Sequence, residues 1–343
     1  MRLLICTQAV DLDDPVLAFF HAWIAGFAKH CEAVHVICLK EGRHALPENV
    51  TVHSLGKEGG RSLFKYVFRF YRYIWQLRRG YDAVFVHMNP EYAVLGGPLW
   101  RITGKKVALW YIHPRSTFML RVAAAFANHI FSASKDSFPF ATPKLTPLGH
   151  GIDIGFFSPG NFVPSSVLRV MHVGRLAPVK NIEVILDAVE ELSAHGISVS
   201  FDQYGEELPP DATYAAHIRE RATSMQNCTF HGKATPTQIS DAYRTHDVHV
   251  NATTSGSFDK AVLESMATGT ITVASSKALT SILPDDFLFE ERNANSLAKV
   301  LENIAHMSEV KRRELRSNVR KSSTKSNLQQ LLATIVQKLE PKI

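Results

Sequence analysis

The chain alternates short apolar runs with longer amphipathic ones, and it does so twice. RLLICT, AVHVICL, VTVHSLG, AVFVHMN, KVALWYIH and HIFSAS have the length and residue types of strands. Helical periodicity fills most of the gaps, in PVLAFFHAWIAGFAKH, SLFKYVFRFYRYIWQLRR and PEYAVLGGPLWRITG. Strands joined through helices run parallel, and a parallel sheet is covered on both faces. The rhythm pauses at TPKLTPLGHGIDIGFFSPGN, residues 142–161, which is rich in Pro and Gly and has no period. It resumes with LRVMHVGR, VSFDQYG, CTFHG, DVHVNAT and TITVAS as strands. NIEVILDAVEELSAHG, TYAAHIRERATSM, TPTQISDAYRTH and TTSGSFDKAVLESMATG read as helices. The pattern predicts two doubly wound α/β domains, 1–155 and 156–325. A last helix within 326–343 has no strand after it and is free to cross back to the first domain. Ligands of such sheets bind beyond the carboxyl ends of the strands, so the expected site is a cleft between the domains.

The 343 residues suffice for two cores. MRLLICT runs straight into the acidic DLDD and reads as a first strand, not a secretory leader. No apolar run approaches the roughly 18–20 residues of a membrane span. Cys6, Cys31, Cys38 and Cys228 have no metal-binding spacing and sit among apolar residues, as reduced thiols of a cytoplasmic protein would. The net charge of +6 is uneven: residues 1–150 carry 18 Lys and Arg against 10 Asp and Glu. That excess suits an anionic partner for the first half.

Two segments of the second half carry chemistry. In HVGRLAPVKNIEVILDAV, residues 172–189, a strand ends at Gly174 and a helix starts near Asn181, with Arg175 and Lys180 in between. Two permanent cations there suit a diphosphate, or equally a solvated surface. In TTSGSFDKAVLESMATG, residues 253–269, the small residues Ser255, Gly256 and Ser257 open a helix whose one internal acid is Glu264.

GRLAPVKN followed some eighty residues later by GSFDKAVLESMATGT resembles the GT-B glycosyltransferases of family 4, which are retaining and use nucleotide sugars. ASKDSF, GHGID and the opening TQAVDLDDPVLAFFHAWIAGFAKH are similar to a bacterial branch of that family. The resemblance implies two Rossmann-like domains facing a cleft, an acceptor domain first and a donor domain second. It implies that Arg175 and Lys180 hold the donor diphosphate, with no metal needed, and that Glu264 accepts from the ribose hydroxyls. Gly256, Ser257, Phe258, Asp259 and Lys260 would face phosphate or sugar at the helix start. Lys233 and Ala234, after CTFHG, would touch the base through backbone atoms. His113, read as the end of a first-domain strand, looks like the histidine that contacts the transferred sugar, and His87 is a second candidate for the acceptor side.

The chain also departs from the family pattern. That pattern sets two acids with seven residues between them, and counting back from Glu264 finds Gly256 where the first should be. Asp259 is the nearest acid; it either takes over the sugar contacts or is simply a first-turn acid favoured by the helix dipole. The loop TQAVDLDDP lacks the family's phosphate-binding glycines, so Asp11, Asp13 and Asp14 face the acceptor or cap the next helix, capping being the better reading for Asp14.

One feature needs no family. Lys65, Arg69, Arg72 and Arg79 form a basic stripe on one predicted helix, with Arg61 and Arg78 nearby, no acid from 61 to 79, and Phe64, Phe68, Tyr71 and Trp75 alongside. Such a helix suits anchorage on anionic lipid, or a solvated face whose apolar side covers the sheet. No nucleic-acid-binding motif accompanies it. The expected protein is therefore a cytoplasmic or membrane-peripheral transferase. It would move a sugar from a UDP-, GDP- or ADP-sugar to a glycan or lipid-linked acceptor in cell-surface glycan, polysaccharide or glycolipid synthesis. A sugar-nucleotide epimerase of the same shape and a non-catalytic binding partner remain as alternatives.

Overall fold

The computed structural model describes every residue except 15, 114, 136, 255–258, 281 and 341–343, and the side chain of 325. It contains two compact units, Met1–Gly151 with Leu328–Ile343, and Ile152–Asn327.

In the first unit, β1 (Arg2–Val10), β2 (Ala33–Glu41), β3 (Val50–Ser54), β4 (Ala83–His87), β5 (Lys106–Trp110), β6 (His129–Ser132) and β7 (Leu145–Pro147) form a parallel sheet. Their order is β3-β2-β1-β4-β5-β6-β7. Helices α1 (Phe20–His30), α2 (Leu63–Gln76), α3 (Pro90–Ile102) and α4 (Phe118–Phe126) connect strands along the chain.

Side-chain alternation along β1 shows why the sheet is buried on both faces. Leu3 and Ile5 join one apolar layer with Trp23 and Phe27 of α1. Leu4 and Cys6 join the opposite layer with Phe70 and Ile74 of α2, Trp100 of α3 and Leu120 of α4.

In the second unit, β8 (Leu168–Val173), β9 (Val199–Tyr204), β10 (Cys228–Gly232), β11 (Val248–Asn251) and β12 (Ile271–Ala274) form a parallel sheet ordered β10-β9-β8-β11-β12. Its helices are α5 (Ile182–Ala194), α6 (Ala212–Thr223), α7 (Pro236–Thr245), α8 (Lys260–Thr268), α9 (Ala294–Ala305) and α10 (Glu309–Ser323). α8 buries Val262, Leu263 and Met266 together with Val319 of α10.

The last helix, α11 (Leu328–Leu339), belongs to the first unit. It buries Leu328, Leu331, Leu332, Ile335, Val336 and Leu339 in the layer that holds α1. Gly26 of α1 permits this: a Cβ there would meet Leu332 Cδ1 at 2.3 Å.

Several boundaries differ from the sequence reading. β5 ends at Trp110, so His113 lies three residues into the following loop. β7 lies inside the stretch that showed no period. α10 is polar almost all round and buries only Val319 and Ser323, which leaves little periodicity to read.

Candidate functional site

The second sheet reverses its direction of strand addition between β8 and β11, which in doubly wound sheets opens a crevice at the carboxyl ends of those two strands. The loop after β8 runs through a 3-10 turn, Pro178–Lys180. Asn181 follows in the left-handed region at φ 46°. Its Nδ2 donates to Ala252 O at 2.7 Å, tying this loop to the segment after β11. Gly174 gives the loop its start: a Cβ there would meet His172 Nε2 at 2.8 Å and Lys180 Cε at 3.3 Å.

Lys180 is thereby set among oxygens. Its ammonium pairs with the Asp259 carboxylate and donates to Thr253 Oγ1 at 3.3 Å. Asn251 Nδ2 donates to the same Asp259 oxygen at 3.1 Å, and the Thr253 hydroxyl does so at 3.4 Å. Burial opposes charge on Asp259, but the adjacent Lys180 ammonium outweighs it and holds the carboxyl well below the usual carboxylate range. Asp259 occupies the N-cap position of α8, yet its side chain makes no cap hydrogen bond among the described residues. Its carboxylate serves Lys180 rather than the helix dipole.

Beneath this group two imidazoles lie in the sheet. His172 of β8 and His249 of β11 are fully buried, with rings 6.2 Å apart and nearly parallel at 15°. The Val250 carbonyl can only accept, so His172 Nδ1 carries the proton and donates to it at 2.8 Å. Burial pushes His172 down to about 4 and His249 down to about 3. His172 Nε2 and both His249 nitrogens have no hydrogen-bond partner among the described residues.

Glu264 lies one turn beyond Lys260 on α8, and both are half-buried. Burial pushes the Glu264 carboxyl up, which the Lys260 charge partly opposes; burial pushes the Lys260 ammonium down. The first turn is held by Tyr243 of α7, whose hydroxyl donates to Ala261 O at 3.1 Å. α8 is described from Lys260 onward, and Gly256, Ser257 and Phe258 lie outside the described residues.

The other predicted residues fall in different settings. Arg175 is exposed, with Nη1 3.7 Å from Asp211 Oδ2, so it and Lys180 have separate acidic partners. Lys233 is exposed just after β10, and Ala234 packs on the cluster around Tyr243.

In the first unit, His87 ends β4 and is 2% exposed. Its ring stacks on Phe20 at 3.9 Å, and its Nδ1 lies 3.3 Å from Thr7 Oγ1. His113 is exposed, and its Nδ1 accepts from Arg115 N at 3.0 Å. Asp14 Oδ1 accepts from Val16 N and Leu17 N in the turn ahead of α1, so it closes that turn; the N-cap of α1 is Phe19, which has no side-chain cap hydrogen bond among the described residues. Asp11 pairs with Lys40 at 2.9 Å and Asp13 with Arg43 at 2.7 Å. Lys65, Arg69, Arg72 and Arg79 are exposed along or just beyond α2, and Arg69 Nη1 donates to Leu55 O at 3.0 Å.

Asn181, Asn251, Thr253, His172 and His249 were not singled out in the sequence. The available signal was polar residues at the carboxyl ends of strands that otherwise read as fully apolar. Among the described residues, no group of three or more His, Cys, Asp or Glu is set to hold a metal ion. No helix among them is long and apolar enough to cross a membrane.

Residues 168–306 match the family Glycosyl transferases group 1. The chain is similar to Anabaena HepE, solved in complex with UDP and glucose, with TM-score 0.77, 17% identity and 99% of each chain covered. It is similar to sucrose-phosphate synthase from Thermosynechococcus elongatus, with TM-score 0.79, 17% identity and 98% of each chain covered. Arabidopsis thaliana sulfoquinovosyl transferase SQD2 is 24% identical over 232 residues, which are 62% of this chain and 41% of that protein. The match thus spans about two fifths of that relative's length. The fold is that of the GT-B glycosyltransferases. The second unit carries a glycosyl transferases group 1 domain.

Proposed function

We propose that the chain transfers a sugar from a nucleoside diphosphate sugar to an acceptor hydroxyl, with the second unit holding the donor. The observation that carries this reading is the Lys180–Asp259 pair with Asn251 and Thr253, built at the switch point of a group 1 glycosyltransferase domain. In this reading Lys180 and Arg175 lie against the diphosphate and stabilise the charge that builds on it as the glycosidic C–O bond breaks. Glu264 accepts from the ribose hydroxyls. Asp259 orients Lys180 and the sugar, Lys260 and the segment 256–258 line the phosphate and sugar, and Lys233 and Ala234 border the base.

The acceptor oxygen attacks from the face the diphosphate leaves, its proton passes to the departing phosphate, and configuration is retained. Positive side chains supply the leaving-group stabilisation without calling on a metal. HepE is described in complex with UDP-glucose, which makes a UDP-sugar the first donor to try. His113 and His87 are assigned to the sugar and acceptor side. The acceptor is a glycan or lipid-linked hydroxyl in cell-surface glycan, polysaccharide or glycolipid synthesis.

A thermal-shift panel of UDP-, GDP- and ADP-sugars tests the donor. A ligand at about 100 times its dissociation constant adds about 2.7 kcal/mol, and Arg175→Ala is expected to lose most of that gain. Transfer of labelled sugar to an acceptor separates this reading from epimerisation or binding alone. An unchanged shift in Arg175→Ala removes that residue from the site.

A further inference from the structure

α2 has two apolar faces, and only one of them belongs to the core. Phe70 and Ile74 point into the sheet layer, with Tyr66 and Tyr73 packed at its margin. Phe64, Phe68, Tyr71 and Trp75 recur at the spacing of a second helical stripe, about a third of a turn away at roughly 100° per residue. They are 84%, 63%, 43% and 55% exposed. Val67, 38% exposed, lies between the two stripes, and Leu63, in line with the core stripe at the helix start, is 81% exposed. Single exposed apolar side chains are ordinary, but a contiguous row of four aromatics marks a contact surface. The sequence offered the sheet as the cover for these aromatics, and the structure withholds it.

Charge identifies what covers them. Lys65 and Arg72 run along one edge of the aromatic row, with Arg61 before the helix and Arg79 after it. None of the four has an ion-pair partner among the described residues. The Arg78 guanidinium sits 4.3 Å over the Trp75 ring. No acid interrupts residues 61–79, and the first 150 residues carry a net +8. Beside the basic edge lies a cavity of about 340 Å³ whose wall includes Arg61, Lys65 and Arg69 together with one acid, Glu58, so its lining is net positive. Aromatic rings flanked by lysine and arginine complement one environment in both respects: acyl chains just below a layer of anionic headgroups. A second copy of this chain would bring the same positive charge against it, and so fits less well.

We propose that the outer face of α2 docks on an anionic lipid bilayer, with Phe64, Phe68, Tyr71 and Trp75 at the headgroup–acyl boundary and Arg61, Lys65, Arg72 and Arg79 on lipid phosphates. The docking does not depend on the donor reading, since vesicle binding needs no nucleotide sugar and the nucleotide shift needs no vesicle.

The chain reports its own docking. Of its four tryptophans, Trp23, Trp100 and Trp110 are buried, so a change of emission on lipid addition belongs to Trp75. The full chain is mixed with vesicles of phosphatidylcholine alone or with about a third phosphatidylglycerol, then sedimented while Trp75 emission is followed. The expected result is co-sedimentation and a blue shift with the anionic vesicles, both weakened by salt. Phe64→Ser with Phe68→Ser should lower partitioning about tenfold or more, and Lys65→Gln and Arg72→Gln about fivefold each. Trp75→Phe should erase the blue shift, which assigns that shift to Trp75.

Binding that survives the paired Phe substitutions, or emission that ignores lipid, overturns the proposal. So does a dimer in solution that the Phe substitutions dissociate while vesicles leave the native chain unbound. Because these side chains are exposed, an unchanged melting temperature in the variants excludes unfolding as the cause.

Discussion

The two sheets share a strand-order reversal, and the chain has furnished the two reversal points in opposite ways. In the first unit the reversal lies between β1 and β4, and its carboxyl end is filled: His87 is stacked on Phe20 with Trp23 and Thr7 around it. In the second unit the reversal lies between β8 and β11. There the chain has placed an ammonium, a carboxylate, an amide and a hydroxyl within hydrogen-bond reach of one another, over two uncharged imidazoles. A switch point is only a geometric opening. Whether it becomes a polar site depends on what the loops deliver: in the second unit Lys180 and Asp259 come from the loops after the two reversal strands themselves, whereas in the first the Asp11 carboxylate after β1 pairs with Lys40 of the neighbouring β2.

Four experiments would break or sharpen that contrast. The largest effect is expected from Lys180→Ala, which should lower sugar transfer by about 10²–10³-fold at saturating donor; a loss below tenfold would take the second switch point out of leaving-group chemistry.

Next comes acid sensitivity. His172 and His249 have folded values near 4 and 3, below the roughly 6.5 of an unfolded chain, so the unfolded state binds more protons in between. Each contribution is complete above about pH 6.5 and is lost as the pH falls to the folded value, near 4 for His172 and near 3 for His249, on the order of 3–5 kcal/mol each for shifts of that size. Urea midpoints across that range should show the decline, and His249→Leu should flatten it; an identical slope in the variant would mean the pair is not what senses acid. Asp259, whose carboxyl is held low, adds a loss only at still lower pH, below the ordinary carboxylate value near 3.9.

Glu264→Gln should weaken nucleotide binding about tenfold by removing a charged acceptor, read from the thermal shift against nucleotide concentration. The smallest effect belongs to the first unit. His87→Phe, of similar volume among aromatic neighbours, should cost under about 1.5 kcal/mol in stability and leave the nucleotide shift unaltered. A large loss of nucleotide binding there would erase the distinction between the two switch points.

The architecture was legible because parallel strands buried on both faces carry a strong apolar signal, and β1, β4 and β8 show it. The members of the site were legible unevenly. Lys180 and Glu264 stood out because a charged side chain beside an apolar helix is conspicuous. Asn251 and Thr253 did not, since VHVNATT reads as a strand running into a turn and nothing local says that its amide and hydroxyl meet a carboxylate eight and six residues on. That meeting depends on Asn181 stapling one loop to the other, a tertiary event. His172 and His249 were hidden for the same reason: only the register of β8 beside β11 stacks them. For α2 the sequence showed the aromatic row and the basic edge together, and the packed sheet decided which of two apolar stripes faced inward.

The seat of α11 on α1 has a practical corollary. Residues 152–327 are a guest segment within a host chain, and the guest's two ends adjoin, Ile152 N donating to Ser326 O at 2.8 Å. Excising the guest is one cut at each neighbouring end and yields a contiguous polypeptide. Amputating everything past 327 is a different operation, because it strips the host of six apolar side chains and leaves the flank of α1 around Phe27 wet. A truncated host is expected to clump, whereas a host with its tail spliced back after Gly151 keeps its lid.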